Sequence, residues 1–154
     1  METPTSASMP TWEIALPPAW QKQGETETGE LYFESEDGTK GMYIATWRIE
    51  LEEGHSPVQV AQSFRKGALA SLDAMAGYEW ELVADASENV GLATVALTDA
   101  WTEDRSYRIA CKVLVQLPLV VRAAFHDYLC EDLAASQAYF GPIIESLRPA
   151  APLM

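Results

Sequence analysis

One segment of this chain carries a full set of helix signals, and the segments around it read mostly as strand. Ser56 is a natural N-cap, Pro57 suits the first helical position, and Gln59 completes a capping box. Val60, Phe64, Ala68, Leu72 and Met75 then recur at helical spacing and form one apolar face. Gly77 is the expected stop. The spacing predicts a helix over residues 57–76, with Gln62, Arg65, Lys66 and Asp73 toward water.

Before it, WEIAL (residues 12–16) is a short strand stopped by Pro17 and Pro18. LYFESE (31–36), an Asp37–Gly38 turn and MYIATWRI (42–49) predict an antiparallel pair. After it comes a meander. Residues 78–85 place Tyr78, Trp80, Leu82 and Ala84 opposite Glu79, Glu81 and Asp85. Residues 92–101, 105–116 and 119–126 follow, with Arg108, Lys112 and Gln116 expected on a polar face. Residues 132–147 have helical period, and Gly141–Pro142 predicts a kink or a helix that starts near Pro142. The fold class is therefore α+β: an antiparallel sheet of six to seven strands, a long helix after the N-terminal strands and a C-terminal helix. One domain is expected over residues 11–149, with a disordered lead over 1–10 and a frayed tail over 150–154.

Charge narrows the function. The chain holds 23 Asp and Glu against 10 Lys and Arg, a net charge of −13. Residues 24–37 contain six acidic residues and no basic one. Phosphate binding needs Lys and Arg to release counterions, so nucleic acid and anionic membrane are poor partners and a basic protein is a good one. No apolar run approaches the length of a membrane helix. The N-terminus has neither the basic nor the apolar region of a secretory signal, which predicts a cytoplasmic address with Cys111 and Cys130 as reduced thiols, although a Cys111–Cys130 disulfide stays open.

Constellations for chemistry are sparse. His55 reads as a solvated loop residue, and His126 neighbours Asp127 on a strand, where adjacent side chains point to opposite faces. No nucleophile elbow, zinc helix, Cys-x-x-Cys pair, Walker loop or dinucleotide turn occurs. Cys and His are too few to close a metal site, and a carboxylate-only calcium site around Glu34–Asp37 lacks EF-hand spacing. No cofactor, no metal and no catalytic activity are expected. The tryptophans, Trp12, Trp20, Trp47, Trp80 and Trp101, read first as packing residues, with Trp47 and Trp101 the two that combine an aromatic ring with acidic neighbours.

The order of elements, with IALPPAW (residues 14–20) near the start and IIESLRP closing at Pro149, resembles the PsbP-like fold. That group includes the Ran-binding Mog proteins and small bacterial domains linked to type VI secretion. The resemblance covers roughly residues 10–149 and implies an α/β/α sandwich that serves as a non-enzymatic binding module. It implies two roles: an immunity protein that plugs a cognate toxin's active site, or an Eag-type chaperone that cradles apolar segments of an effector. Strong acidity favours immunity against a basic toxin such as a nuclease. The expected partner-binding residues are Glu34, Glu36, Asp37, Trp47, Glu79, Glu81, Asp99, Trp101, Glu103 and Asp104, in a monomer or a dimer. A small-molecule-binding domain or enzyme is a further alternative, which a deep pocket holding His126 beside a carboxylate of raised pKa would support.

Overall fold

A computed structural model of the chain describes residues 5–9, 12–26, 29–49, 56–75, 77–91, 93–104 and 106–149. Its strands are β1 (Thr5–Met9), β2 (Trp12–Leu16), β3 (Gln21–Glu25), β4 (Leu31–Glu34), β5 (Lys40–Arg48), β6 (Glu81–Val90), β7 (Ala93–Thr102), β8 (Tyr107–Gln116), β9 (Leu119–Asp127) and β10 (Arg148–Pro149). Its helices are α1 (Pro57–Asp73) and α2 (Leu133–Ser146). Seven strands make one antiparallel sheet in the order β3-β4-β5-β9-β8-β7-β6, and β1-β2-β10 make a second, smaller one.

The α+β class expected from the pattern is the class observed, and each local signal has a visible cause. Ser56 Oγ accepts from Gln59 N at 3.2 Å while Ser56 N donates to Gln59 Oε1 at 2.9 Å, so the capping box is closed in both directions. The helix ends at Asp73 with Ala74 as its cap, a little short of the predicted 76. A Leu117–Pro118 turn joins β8 to β9, as the broken apolar run implied.

Both faces of the large sheet are covered, because side chains alternate and each strand sends one set to each layer. On one face Ala96, Cys111, Val113, Val115 and Val120 pack under α1 through Val60, Ala61, Phe64 and Ala68. On the other, Met42, Ile44, Leu114, Val121, Ala123 and Phe125 pack beneath α2 residues Phe140, Ile143 and Ile144. Trp12, Ile14 and Leu16 of β2 join that layer. The two ends of the chain meet there: Ala15 N donates to Ser146 Oγ at 3.0 Å, and β10 pairs with β2.

Several expectations change. The lead expected over residues 1–10 contains β1, which pairs along β2. The polar run Gln21–Glu25 is an edge strand with every residue exposed. β6 begins at Glu81 rather than 78 and continues to Val90, with a register shift between Leu82 and Ala84. The helix α2 starts at Leu133, with Asp132 Oδ1 accepting from Ala135 N, and runs through Pro142 rather than starting there. The polar face expected for β8 is roofed by α2: Arg108 is 4% exposed. Lys112 Nζ donates to the carbonyls of Ile144 and Leu147 at 2.7 and 2.8 Å, which closes the C-terminal end of α2. His55, Arg105 and the tail over 150–154 lie outside the described residues.

Candidate functional site

Strand register decides which acidic residues meet. Lys40 of β5 pairs with Asp127 of β9, Asp127 pairs with Arg108 of β8, Arg108 pairs with Trp101 of β7, and Trp101 pairs with Glu81 of β6. These pairings run straight across the sheet. They put the β4–β5 turn, the loop after β9, the β7–β8 turn and the start of β6 at one end. Glu34, Glu36, Asp37, Glu79, Glu81, Glu103 and Asp104 all lie along it. Exposed Glu131 and Asp132 join them, although the sequence reading had not placed these two in the site. From β4 to β6 there are five strand spacings, about 24 Å in all at ~4.8 Å each.

This end is tied together rather than loose. Tyr128 N donates to Thr39 O at 2.9 Å and Cys130 N donates to Ser106 O at 2.5 Å, so the loop after β9 is laced to both neighbouring turns. Asp37 organises its own turn by accepting from Thr39 N at 3.0 Å, Thr39 Oγ1 at 2.7 Å and Ser35 Oγ at 2.9 Å. Those donors, the Thr39 backbone N–H first, hold its carboxyl down to about 2. Lys40 is engaged by Asp127 at 3.9 Å and lies 5.0 Å from the centre of the Tyr139 ring.

Three expected site residues are elsewhere or differently occupied. Asp99 is 6% exposed and bound to Arg108 under α2, because the pleat turns it inward where its sequence neighbours Glu103 and Asp104 are outside. Trp101 is half-buried, and its Nε1 donates to Cys130 O at 3.1 Å, so it anchors the acidic loop from beneath. Trp47 pairs with Val120 seven residues up β5 from Lys40, roughly 23 Å away at ~3.3 Å per residue. It packs on Phe64 at 4.9 Å and beneath the Arg122 guanidinium at 4.9 Å.

Beside the acidic end lies a second feature. The helix α1 sits over β7 and β8, and its C-terminal half stands off the floor made by β5 and β9. The half-open cleft between them has a volume of about 410 Å³. Tyr43, Ile109, Cys111, Ala124 and His126 rise from the sheet, Ala68 and Leu72 descend from the helix with Met75 from just beyond its end, and Glu30 and Arg122 close one side. His126 is edge-on to Tyr43 at 5.3 Å and stacked on Tyr128 at 5.6 Å. Its Nδ1 is 2.6 Å from the Tyr107 hydroxyl. Burial among these rings pushes the His126 imidazole down to about 4, so it is neutral near pH 7, and burial raises the Tyr107 phenol. Burial likewise pushes the Cys111 thiol up to about 11, which makes it a poor nucleophile; Cys111 and Cys130 are both free thiols.

Gly41 is what lets the aromatic rings cross β5. A Cβ there would stand 2.6 Å from the Tyr32 hydroxyl and 3.0 Å from that of Tyr128. The Tyr32 hydroxyl in turn donates to Glu34 Oε2 at 2.8 Å, which links the ring cluster to the acidic end. Among the described residues no group of three or more His, Cys, Asp or Glu is placed to hold a metal ion, including the carboxylates near Glu34. Among the same residues no helix is long and apolar enough to cross a membrane.

No protein-family model matches the chain, and no curated protein matches it. Among solved structures it is similar to cyanobacterial PsbP (CyanoP) from Synechocystis sp. PCC 6803, determined in solution. The TM-score is 0.69 at 10% sequence identity, over 97% of this chain and 94% of that one. The fold is therefore PsbP-like, as the two short motifs implied.

Proposed function

We propose that this chain is a non-catalytic protein-binding module that holds a basic protein partner against the acidic end of its sheet. One observation carries the reading. Acidic segments at 34–37, 79–81, 103–104 and 131–132, far apart in sequence, converge on one edge about 24 Å wide, and the loops of the first, third and fourth are hydrogen-bonded to each other. Dispersed acid that served only solubility would have no reason to gather there. A fixed acidic edge steers a cationic partner and loses little side-chain and loop freedom on docking.

In this reading the partner is a secreted toxin domain, a nuclease for preference, and the chain is its cytoplasmic immunity protein. A nuclease cleft is built positive to receive phosphate, so a row of carboxylates supplies the charge of the substrate without a bond to cleave. The chaperone alternative needs a broad apolar sheet face, and α2 with the small sheet roofs one face while α1 takes much of the other. A catalytic alternative would use the cleft, but Glu30, its carboxylate, is engaged by Arg122 at 3.3 Å.

The test is affinity capture from the source cells at low and moderate salt. It uses the natural chain and a triple variant, Glu79→Lys with Glu103→Lys and Asp104→Lys. The expected result is one basic protein in a one-to-one complex, retained less at higher salt and lost with the variant. A partner held equally well by the variant, or indifferent to salt, overturns the reading.

A further inference from the structure

The cleft between α1 and the sheet is unlike the rest of the interior. The N-terminal half of α1 is filled: Val60, Phe64 and Trp47 meet Val113, Val115 and Val120. The C-terminal half is filled less completely, because several positions at its centre are small. Ala68, at the margin of that cluster, and Ser71 leave open space toward Thr98, Cys111 and Ala124. Larger apolar residues at these positions would restore close packing, and a gap forfeits the dispersion contacts they would make. A local departure from good packing in an otherwise consistent fold marks a functional position.

We infer that this cleft is a binding site for a small, neutral, mostly apolar molecule that carries one hydrogen-bond acceptor. The volume, about 410 Å³, lies in the range of small-molecule sites. It encloses on the order of 14 non-hydrogen atoms, at the ~30 Å³ that each water molecule takes in the liquid, and its open side lets a molecule a few atoms larger project into solvent. Its walls are aliphatic above and below, from Leu72, Met75 and Ile109, with the Tyr43 and His126 rings at the side for a planar group to lie against.

Charge selects against ions. The Arg122 guanidinium donates to Glu30 Oε2 at 3.3 Å and lies over the Trp47 ring, so the charged pair in the wall is already matched. His126 is committed at Nδ1 to the Tyr107 hydroxyl. With that hydroxyl as donor, the ring hydrogen sits on Nε2, which makes no hydrogen bond among the described residues and offers itself to a carbonyl or hydroxyl oxygen. The acidic end calls for the opposite chemistry, a cationic partner, so the two sites do not compete for one ligand.

The test uses 6-propionyl-2-(dimethylamino)naphthalene, a neutral fluorophore with a carbonyl acceptor whose emission moves to the blue in apolar surroundings. The natural chain is expected to bind it saturably at one to one. Ala124→Phe and Ala68→Phe each fill the cleft, and each is expected to weaken binding about tenfold or more while melting at or above the natural temperature. Amide shift mapping with the probe is expected to perturb Tyr43, Met75 and Ala124. No saturable binding, equal binding by the filled variants, or shifts centred away from these residues overturns the inference.

Discussion

Arg108 grips Asp99 with two parallel hydrogen bonds, Nε to Oδ1 at 2.9 Å and Nη2 to Oδ2 at 2.6 Å, beneath α2. A third bond runs from Arg108 Nη1 to Ser136 Oγ at 3.0 Å, and the guanidinium lies 5.9 Å from the Phe140 ring centre. The pair ties β7 and β8 to α2 from inside. Asp99→Ala strands a buried cation and is expected to cost about 3–5 kcal/mol, whereas Asp99→Leu with Arg108→Met is expected to be close to neutral. Denaturant melts of both variants check this. A loss below about 1 kcal/mol in the single variant would mean that Arg108 finds other partners.

Lys112 does for the end of α2 what a C-cap does, with one ammonium shared between two carbonyls. Lys112→Met keeps the apolar stem and removes the donors. The expected cost is about 1–3 kcal/mol, with faster amide exchange in the last turn of α2 and little change in β5. Exchange that quickens evenly over the molecule would contradict a local role.

His126 makes stability depend on pH in a definite direction. Its ordinary value is 6.5 and burial holds it to about 4 in the fold, where Tyr43, Tyr107 and Tyr128 pack around it and Arg122 and Glu30 share the cleft. Between those values the unfolded chain binds a proton that the folded chain refuses. This group's contribution is therefore complete above pH 6.5 and falls as pH drops from 6.5 toward 4. The difference in unfolding free energy between the natural chain and His126→Phe, measured at pH 7 and pH 5, should shift in favour of the variant at pH 5. A pH-independent difference would contradict the assignment.

Gly41→Ala puts a methyl group where the Tyr32 ring lies. The expected outcome is loss of the Tyr32–Glu34 hydrogen bond and a destabilisation of about 1–3 kcal/mol, as for other overpacked sites. Tyrosine fluorescence during a melt reports it. Adding Tyr32→Phe to Gly41→Ala is expected to recover part of the loss, because the Tyr32 hydroxyl is the atom nearest the added methyl, and no recovery would contradict that contact.

The signals that could be read from sequence were the local ones. Ser56, Pro57 and Gln59 sit side by side and need no knowledge of the rest of the chain, so α1 was visible in advance. The two resemblance motifs were visible too, and the structure explains their pairing: Ile14 and Leu16 from one pack into the same core as Ile144 and Leu147 from the other. β3 was invisible because QKQGE has no apolar alternation, being exposed along its whole length. Asp99 and Arg108 are both outward-facing by pattern, yet both are buried, because Arg108 reaches diagonally across to Asp99 beneath α2. That fact lives in the β7–β8 register. The gathering of acid at one sheet end likewise depends on strand order, which brings residue 36 and residue 104 to the same edge. The cleft had no sequence signal at all, since it comes from small residues that face one another across two layers.

Docking of a basic partner on the acidic end should be visible in hydrogen exchange of the one-to-one complex compared with the free chain. New protection is expected at residues 35–39, 103–106 and 128–132, with β3 and the outer face of α1 unchanged. Protection centred on β3 or on the helix, with the three loops exchanging as before, would contradict it.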